Sequence, residues 1–255
     1  SNDIEDTAGP ETAPTGAAAP ATKSTSHAHI SQSSRLGHSL TSLANVGPYM
    51  IESKSRPIAD SFENVTILFA NISGFKKWSS TRSPTDVFTL LETLYTEFDK
   101  LADEVGIFKV ETIGECYVAA CGLPEERDDH AVLLYRFCRL CVRRSRGLLL
   151  DLSTQLGGNT RILRLRCGMH SGSITAGVLR GAKSRFQLFG DTMNTAARME
   201  SSGLPGRIHL SEATADELIR KGKGKWLTPR EDEVVAKGKG RMKTFWGSDD
   251  ISCEL

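Results

Sequence analysis

The sequence predicts a domain of mixed strands and helices, α/β or α+β in class and not a Rossmann fold. Three observations carry this. Val65 to Ile72 reads VTILFANI, a short apolar run rich in β-branched residues, as in a strand covered on both faces. Val87, Leu90, Leu91, Leu94, Phe98 and Leu101 recur at helical spacing. Ile107 to Ile113 and Cys116 to Cys121 are strand-like runs separated only by Gly114-Glu115. Two residues with glycine first are the mark of a type II′ hairpin turn, so adjacent strands here pair antiparallel.

Residues 1–60 read as a disordered or linker segment. Residues 1 to about 45 are rich in Ala, Thr, Ser and Pro, and too few large apolar side chains are present to offset the entropy of ordering. The domain is expected from Ser61 to about residue 247, with 248–255 as a tail. After the first strand, Ser83-Pro84-Thr85-Asp86 supplies an N-cap, a proline at the first helical position and an acid in the first turn. A helix should run from there to about Glu104. The hairpin follows, with Glu115 at its tip. A second helix is expected from about Asp128 to Leu152. Its arginines, Arg136, Arg139, Arg143, Arg144 and Arg146, read as a solvated face rather than a site for an acidic partner. Arg161 to Ser171 and Ser173 to Leu179 are strand candidates parted by a turn at Gly172, and Ser184 to Phe189 is another. Gly190-Asp191 opens a helix to about Ser201. Arg207 to Leu210 is a strand, Ser211 to Arg220 a helix, and a last strand ends near Trp246.

Composition narrows the function classes. The 255 residues include 32 basic and 31 acidic side chains, for a formal net charge of +1. That balance gives no electrostatic footprint for nucleic acid or an anionic membrane. No apolar run approaches the roughly 18–20 residues of a membrane span, and the N-terminus lacks the pattern of a signal peptide. The six cysteines include a Cys138-x-x-Cys141 spacing. Without a second pair or histidines it reads as packed helix thiols, not a zinc site, and it suggests a reducing, cytosolic setting. The chain is equally compatible with being the cytosolic part of a larger membrane protein. His130, beside Asp128 and Asp129, reads as part of an acidic helix start rather than a metal site. His170 receives no catalytic role.

Four segments, in order, carry a more specific signal. They are Leu68-Phe-Ala-Asn-Ile-Ser-Gly-Phe75, Phe108-Lys-Val-Glu-Thr-Ile-Gly-Glu-Cys-Tyr117, Arg185-Phe-Gln-Leu-Phe-Gly-Asp-Thr-Met-Asn-Thr-Ala-Ala-Arg198 and Lys237-Gly-Lys-Gly240. Together they resemble the catalytic domain of class III adenylyl and guanylyl cyclases. The resemblance implies an α+β sandwich with a ferredoxin-like βαββαβ core, working as a head-to-tail dimer with active sites at the interface. It also implies attack of a ribose 3′-hydroxyl on the α-phosphorus of a nucleoside triphosphate, releasing pyrophosphate. Such a displacement depends on positioning and charge neutralisation, supplied in the family by two Mg²⁺ or Mn²⁺ ions on two aspartates.

Carried over residue by residue, the metal positions are Asn71 and Glu115, so both aspartates are replaced. Ile72, Ser73, Gly74 and Phe75 match the turn whose amides face the phosphates. Asn194 and Arg198, four apart on one helix face, match the residues that orient the ribose and stabilise charge on the α-phosphate. Lys239 matches the lysine for the terminal phosphates, ahead of Lys237. Glu111 stands where guanylyl cyclases have Glu, and a carboxylate accepts from guanine N1–H and the 2-amino group. Gln187 departs from both the guanylyl and the adenylyl pattern. GTP is the favoured substrate, with ATP the alternative.

Asn71 offers Mg²⁺ a neutral oxygen in place of an anionic one. Glu115 keeps its charge but is longer by a methylene, and misplacements of about 1 Å cost on the order of 100-fold. The expectation is a cyclase half, weak alone and active with a metal-competent partner, in a homodimer or heterodimer. The alternative is a pseudo-cyclase that binds nucleotide or only dimerises.

Overall fold

The computed structural model describes residues 58–179, 184–236 and 240–248. β1 (Ile58–Ser73) is a 16-residue strand whose second half alternates between two cores. Val65 and Ile67 join Phe62, Ala120, Ile174, Ala176 and Ala196 on one side. Leu68, Ala70 and Ile72 join Leu90, Leu94, Phe98, Tyr117 and Phe137 on the other. A strand buried on both faces is what the apolar run VTILFANI requires.

β1 leads through Gly74, at φ 89°, into a short helix α1 (Phe75–Ser79). The sequence reading treats this stretch as a turn. The helix forms because Phe75 and Trp78 are both buried on its inner side, and Trp78 Nε1 donates to Thr160 Oγ1 at 3.0 Å. α2 (Pro84–Val105) begins as expected, with Ser83 and Asp86 in a reciprocal capping box. β2 (Phe108–Ile113) and β3 (Cys116–Cys121) form the hairpin, with Gly114 at φ 59°. α3 (His130–Leu156) runs four residues past the expected end, and a 3-10 turn spans Gly158–Ile162.

β4 (Arg164–Leu179) corrects the reading of two strands parted by a turn at Gly172. It is one continuous strand, paired antiparallel to β1 from Arg164 to Val178. Gly172 serves a close approach instead: a Cβ there would meet Thr192 Oγ1 at 2.8 Å. The remaining elements are β5 (Arg185–Phe189), α4 (Asp191–Ser201), β6 (Ile208–Ser211), α5 (Glu212–Arg220), β7 (Leu227–Pro229), β8 (Val234–Ala236), β9 (Gly240–Met242) and β10 (Thr244–Gly247).

The main sheet has the order β2-β3-β1-β4-β6-β10-β7, with β5 on the same edge of β4 beyond β6. β4 and β6 are parallel; the other pairs are antiparallel. The first four strands, with α2 and α3 as connections, reproduce the β2-β3-β1-β4 order of the expected ferredoxin-like core. Residues of α2, α3 and α5 share the first face with Leu68 and Ile72, while Ala196 and Met193 of α4 pack on the other. The molecule is therefore an α+β sandwich. Cys116, Cys121, Cys138, Cys141 and Cys167 are buried free thiols. Among the described residues no helix is long and apolar enough to cross a membrane.

Candidate active site

The two metal positions of the sequence reading come together at one end of β1. Asn71 is in register with Cys116 of β3, and Ile72 N donates to the carbonyl of Glu115 at 3.2 Å. Glu115 stands at the hairpin tip, where the neighbouring Gly114 carbonyl accepts from Tyr95 Oη at 2.9 Å. On its other side Asn71 is in register with Arg166 of β4. Arg166 Nε donates to Glu200 Oε1 at 2.7 Å, and both residues are mostly buried. Burial raises the Glu200 carboxyl above its usual range, and Arg166 opposes that rise. Burial also pushes the Cys116 thiol up to about 12, so it offers no thiolate beside Asn71 at neutral pH.

The donor chemistry here is one amide, one carboxylate and one carboxylate already paired with a guanidinium. Among the described residues no group of three His, Cys, Asp or Glu side chains is disposed to hold a metal ion. This set does not fit two divalent cations, which prefer several anionic oxygens. Arg166 and Glu200 were not singled out from sequence. Their signal was present in the polar alternation of Arg164 and Arg166 along a strand, but their relation to Asn71 depends on strand register.

The residues expected to read the nucleotide stand on β2, β5 and α4. Glu111 is exposed on β2, immediately after a register shift that separates Lys109 from Glu111. Such a bulge re-aims the side chains that follow it. Gln187 is half-buried on β5, in register with Gly177. The two strands are tied by their neighbours: the Phe108 and Phe186 rings meet edge to face with centroids 5.3 Å apart. Asn194 is exposed and Arg198 half-buried on α4. α4 is fixed to the sheet at both ends. Thr192 Oγ1 donates to the Ser173 carbonyl at 2.6 Å, and Glu200 holds Arg166. Between these points Gly168 lies under the backbone of Met199 and Glu200 so closely that a Cβ would overlap it. Ser73 and Gly74 follow Asn71, with Phe75 turned into the core. Lys237 and Lys239 lie outside the described residues.

A mixed sheet in this order, with a carboxylate hairpin tip beside one strand end and an Asn/Arg helix laid across the opposite face, defines a nucleotidyl-cyclase type of domain. Residues 58–248 match the model of the adenylate and guanylate cyclase catalytic domain, and the chain belongs to that family. It is 43% identical over 163 residues to the receptor-type guanylate cyclase gcy-28 of Caenorhabditis elegans, covering 64% of this chain and 12% of that protein. It is 42% identical over 192 residues to atrial natriuretic peptide receptor 2 of Homo sapiens, covering 74% of this chain and 17% of the receptor. The chain thus spans less than a fifth of the length of these curated relatives. Among solved structures, the guanylate cyclase domain of RhGC from Catenaria anguillulae in complex with GTP superposes with a TM-score of 0.65 at 36% identity, covering 74% of this chain and 98% of that one.

Proposed function

We propose that this chain is the substrate-reading half of a guanylyl cyclase pair, converting GTP to 3′,5′-cyclic GMP and pyrophosphate at an interface with a metal-competent cyclase domain. The observation that carries the reading is the asymmetry of the two halves. The nucleotide half presents Glu111, Asn194 and Arg198 with the residue types the chemistry needs. The metal half has lost an anionic ligand at Asn71 and sets Arg166 beside it. The GTP-bound relative, at 36% identity over nearly its whole length, supports GTP over ATP, as does Glu111.

In this reading Glu111 accepts from guanine N1–H and the 2-amino group, and the Gln187 amide donates to O6. Asn194 orients the ribose so that its 3′-hydroxyl lies in line with the α-phosphorus. Arg198 stabilises the charge that grows on the α-phosphate, where a preorganised cation is worth most. Lys239 holds the terminal phosphates, and the amides from Ser73 to Phe75 face phosphate in the opposite site of the pair, the Ile72 amide being taken by the Glu115 carbonyl. The carboxylates for Mg²⁺ or Mn²⁺ in the productive site come from the partner.

The test is GTP and ATP turnover by the purified chain, alone and mixed with a cyclase domain that carries both metal aspartates, compared with the Asn71→Asp/Glu115→Asp variant. Loss of about 4 kcal/mol of transition-state binding corresponds to about 1,000-fold in rate. The wild-type chain alone should therefore fall about that far below the double variant, and addition of the partner should close the gap. Equal activity of wild type and double variant would sink the proposal. Absence of GTP binding, with or without metal, would instead support the second reading, a dimerisation module, which the placement of Arg166 beside Asn71 favours.

A further inference from the structure

Two histidines that take no part in nucleotide reading are joined through the interior by four hydroxyls. His130 Nδ1 lies 2.6 Å from Thr66 Oγ1, and Thr66 Oγ1 lies 2.8 Å from Ser171 Oγ. Ser171 Oγ donates to Thr214 Oγ1 at 3.0 Å. Thr214 Oγ1 is 3.3 Å from Ser211 Oγ, which is 2.7 Å from His170 Nδ1. Thr66, Ser171, Thr214 and Ser211 are all buried. At the far end, His170 lines a cleft of about 320 Å³ with Ser173, Gly190, Asp191 and Thr192, at the start of α4.

Each hydroxyl has a single proton to give, so the chain has a polarity. The Ser171 proton goes to Thr214. Thr66 must then donate to Ser171, and His130 Nδ1–H must donate to Thr66. Followed in the same sense, Thr214 donates to Ser211 and Ser211 to His170 Nδ1, the order that leaves the His170 proton on Nε2. The other nitrogen of His130 is in conflict with this order. His130 Nε2 is buried without a hydrogen-bond partner and faces Glu217 Oε2 at 3.8 Å. A lone pair there meets a carboxylate, so the arrangement is content only while His130 carries both protons.

The surroundings pull both ways, and burial prevails, holding the imidazole below its ordinary pKa. Burial disfavours the imidazolium, and Arg220 of α5 adds to that. Glu217 of α5, with Asp128 and Asp129 from the loop before α3, favours it. Asp128, Glu217 and Arg220 also line a cleft of about 520 Å³ with Asn64, Glu126 and Arg127. When the ring becomes neutral, keeping Nε2–H for Glu217 means surrendering the proton on Nδ1. Thr66 then donates to His130, and every hydroxyl behind it must turn.

We propose that His130, Thr66, Ser171, Thr214 and Ser211 position His170 beneath the start of α4, and that loss of a proton from His130 reverses the chain, switching His170 Nε2 from donor to acceptor. Because α4 bears Asn194 and Arg198, the consequence for nucleotide rests on the cyclase reading. The coupling between the two histidines does not.

The experiment uses the full chain without nucleotide, ¹⁵N-labelled at histidine, with ring-nitrogen NMR followed from about pH 5 to 8. The His170 ring nitrogens should exchange their protonated and bare characters with the same midpoint as the His130 titration. Thr66→Val and Ser171→Ala, which break the chain at different links, should each uncouple the two rings, and Thr66→Ser should keep them coupled. A His170 tautomer that stays fixed while His130 titrates overturns the proposal, as does unchanged coupling in a folded Ser171→Ala variant. Turnover plays no part in this readout, so failure of the cyclase reading leaves it intact.

Discussion

At the scale of single residues, His209 and His130 are both buried imidazoles whose neighbours sort their protons differently. His209 is fully buried, its Nδ1–H donates to the Met199 carbonyl at 2.7 Å, and its Nε2 accepts from Arg230 Nη1 at 3.4 Å. Both nitrogens are served by the neutral ring. Burial, with the positive charge of Arg230 and against the bond to Met199, lowers its pKa from 6.5 to about 4. The sign follows from proton counting. As pH falls, the unfolded chain takes up this proton before the folded one does. The stability contributed is complete above about pH 6.5 and is lost progressively towards pH 4, with a magnitude of about 3 kcal/mol. Urea unfolding at pH 7 and pH 4.5 should show this loss, and the loss should shrink in His209→Gln. The same scale shows what could be read without coordinates. Asn71, Glu111, Glu115, Asn194 and Arg198 were marked by residue type within recognisable segments. Arg166 and Glu200 were not, because their importance comes from lying opposite Asn71 across strand and helix, which no spacing along the chain encodes.

At the scale of elements, α4 and β4 depend on each other through two glycines. Gly168 and Gly172 lie on the face of β4 that carries α4, and a Cβ at either would strike helix atoms. Close backbone packing of this kind is a recognised use of glycine within a strand. Gly168→Ala should lift the end of α4 and cost about 1–3 kcal/mol, or roughly 2–12 °C in Tm for a domain of this size. Differential scanning calorimetry checks it; an unchanged Tm would mean that α4 has room to move. Element starts were the most legible feature of the sequence. The Ser83-Pro84-Asp86 cap and the Gly114 hairpin are local chemistry, and both stand where expected. Gly172 was misread because a glycine in a strand pattern signals either a turn or a close approach, and only the partner element decides between them. The helix α1 was missed because five residues carry too little periodicity, and its stability comes from burying Phe75 and Trp78.

At the scale of the whole molecule, the proposed division of labour gives a pair of chains two sites to fill. Under that proposal, pairing with a metal-competent partner would leave one site with the partner's carboxylates and this chain's reading residues, and a second site that depends on Asn71 and Glu115. Substitutions should therefore sort by half in the mixed pair. Arg198→Ala should lower GTP turnover by about 10²–10³-fold, while Asn71→Ala should leave it nearly unchanged. A steady-state assay of the two mixtures decides it, and a comparable loss in both would place the two residues in one site. The sandwich and its ferredoxin-like core were legible from the family resemblance, and the sheet bears them out. The division into halves was legible only as an expectation, since a single chain shows its own residues and not those facing them.

The pairing of Arg166 with Glu200 bears on any attempt at repair. An aspartate at position 71 would place a new anion directly across from Arg166, in competition with Glu200 for one guanidinium. Glu200 is buried, and burial raises its carboxyl above the usual range. If Arg166 turned to the newcomer, Glu200 would lose its partner and the C-terminal turn of α4 its tether. Restoring the acid at position 71 is thus a contest over one cation, and its outcome would be felt first at α4, before any metal arrives.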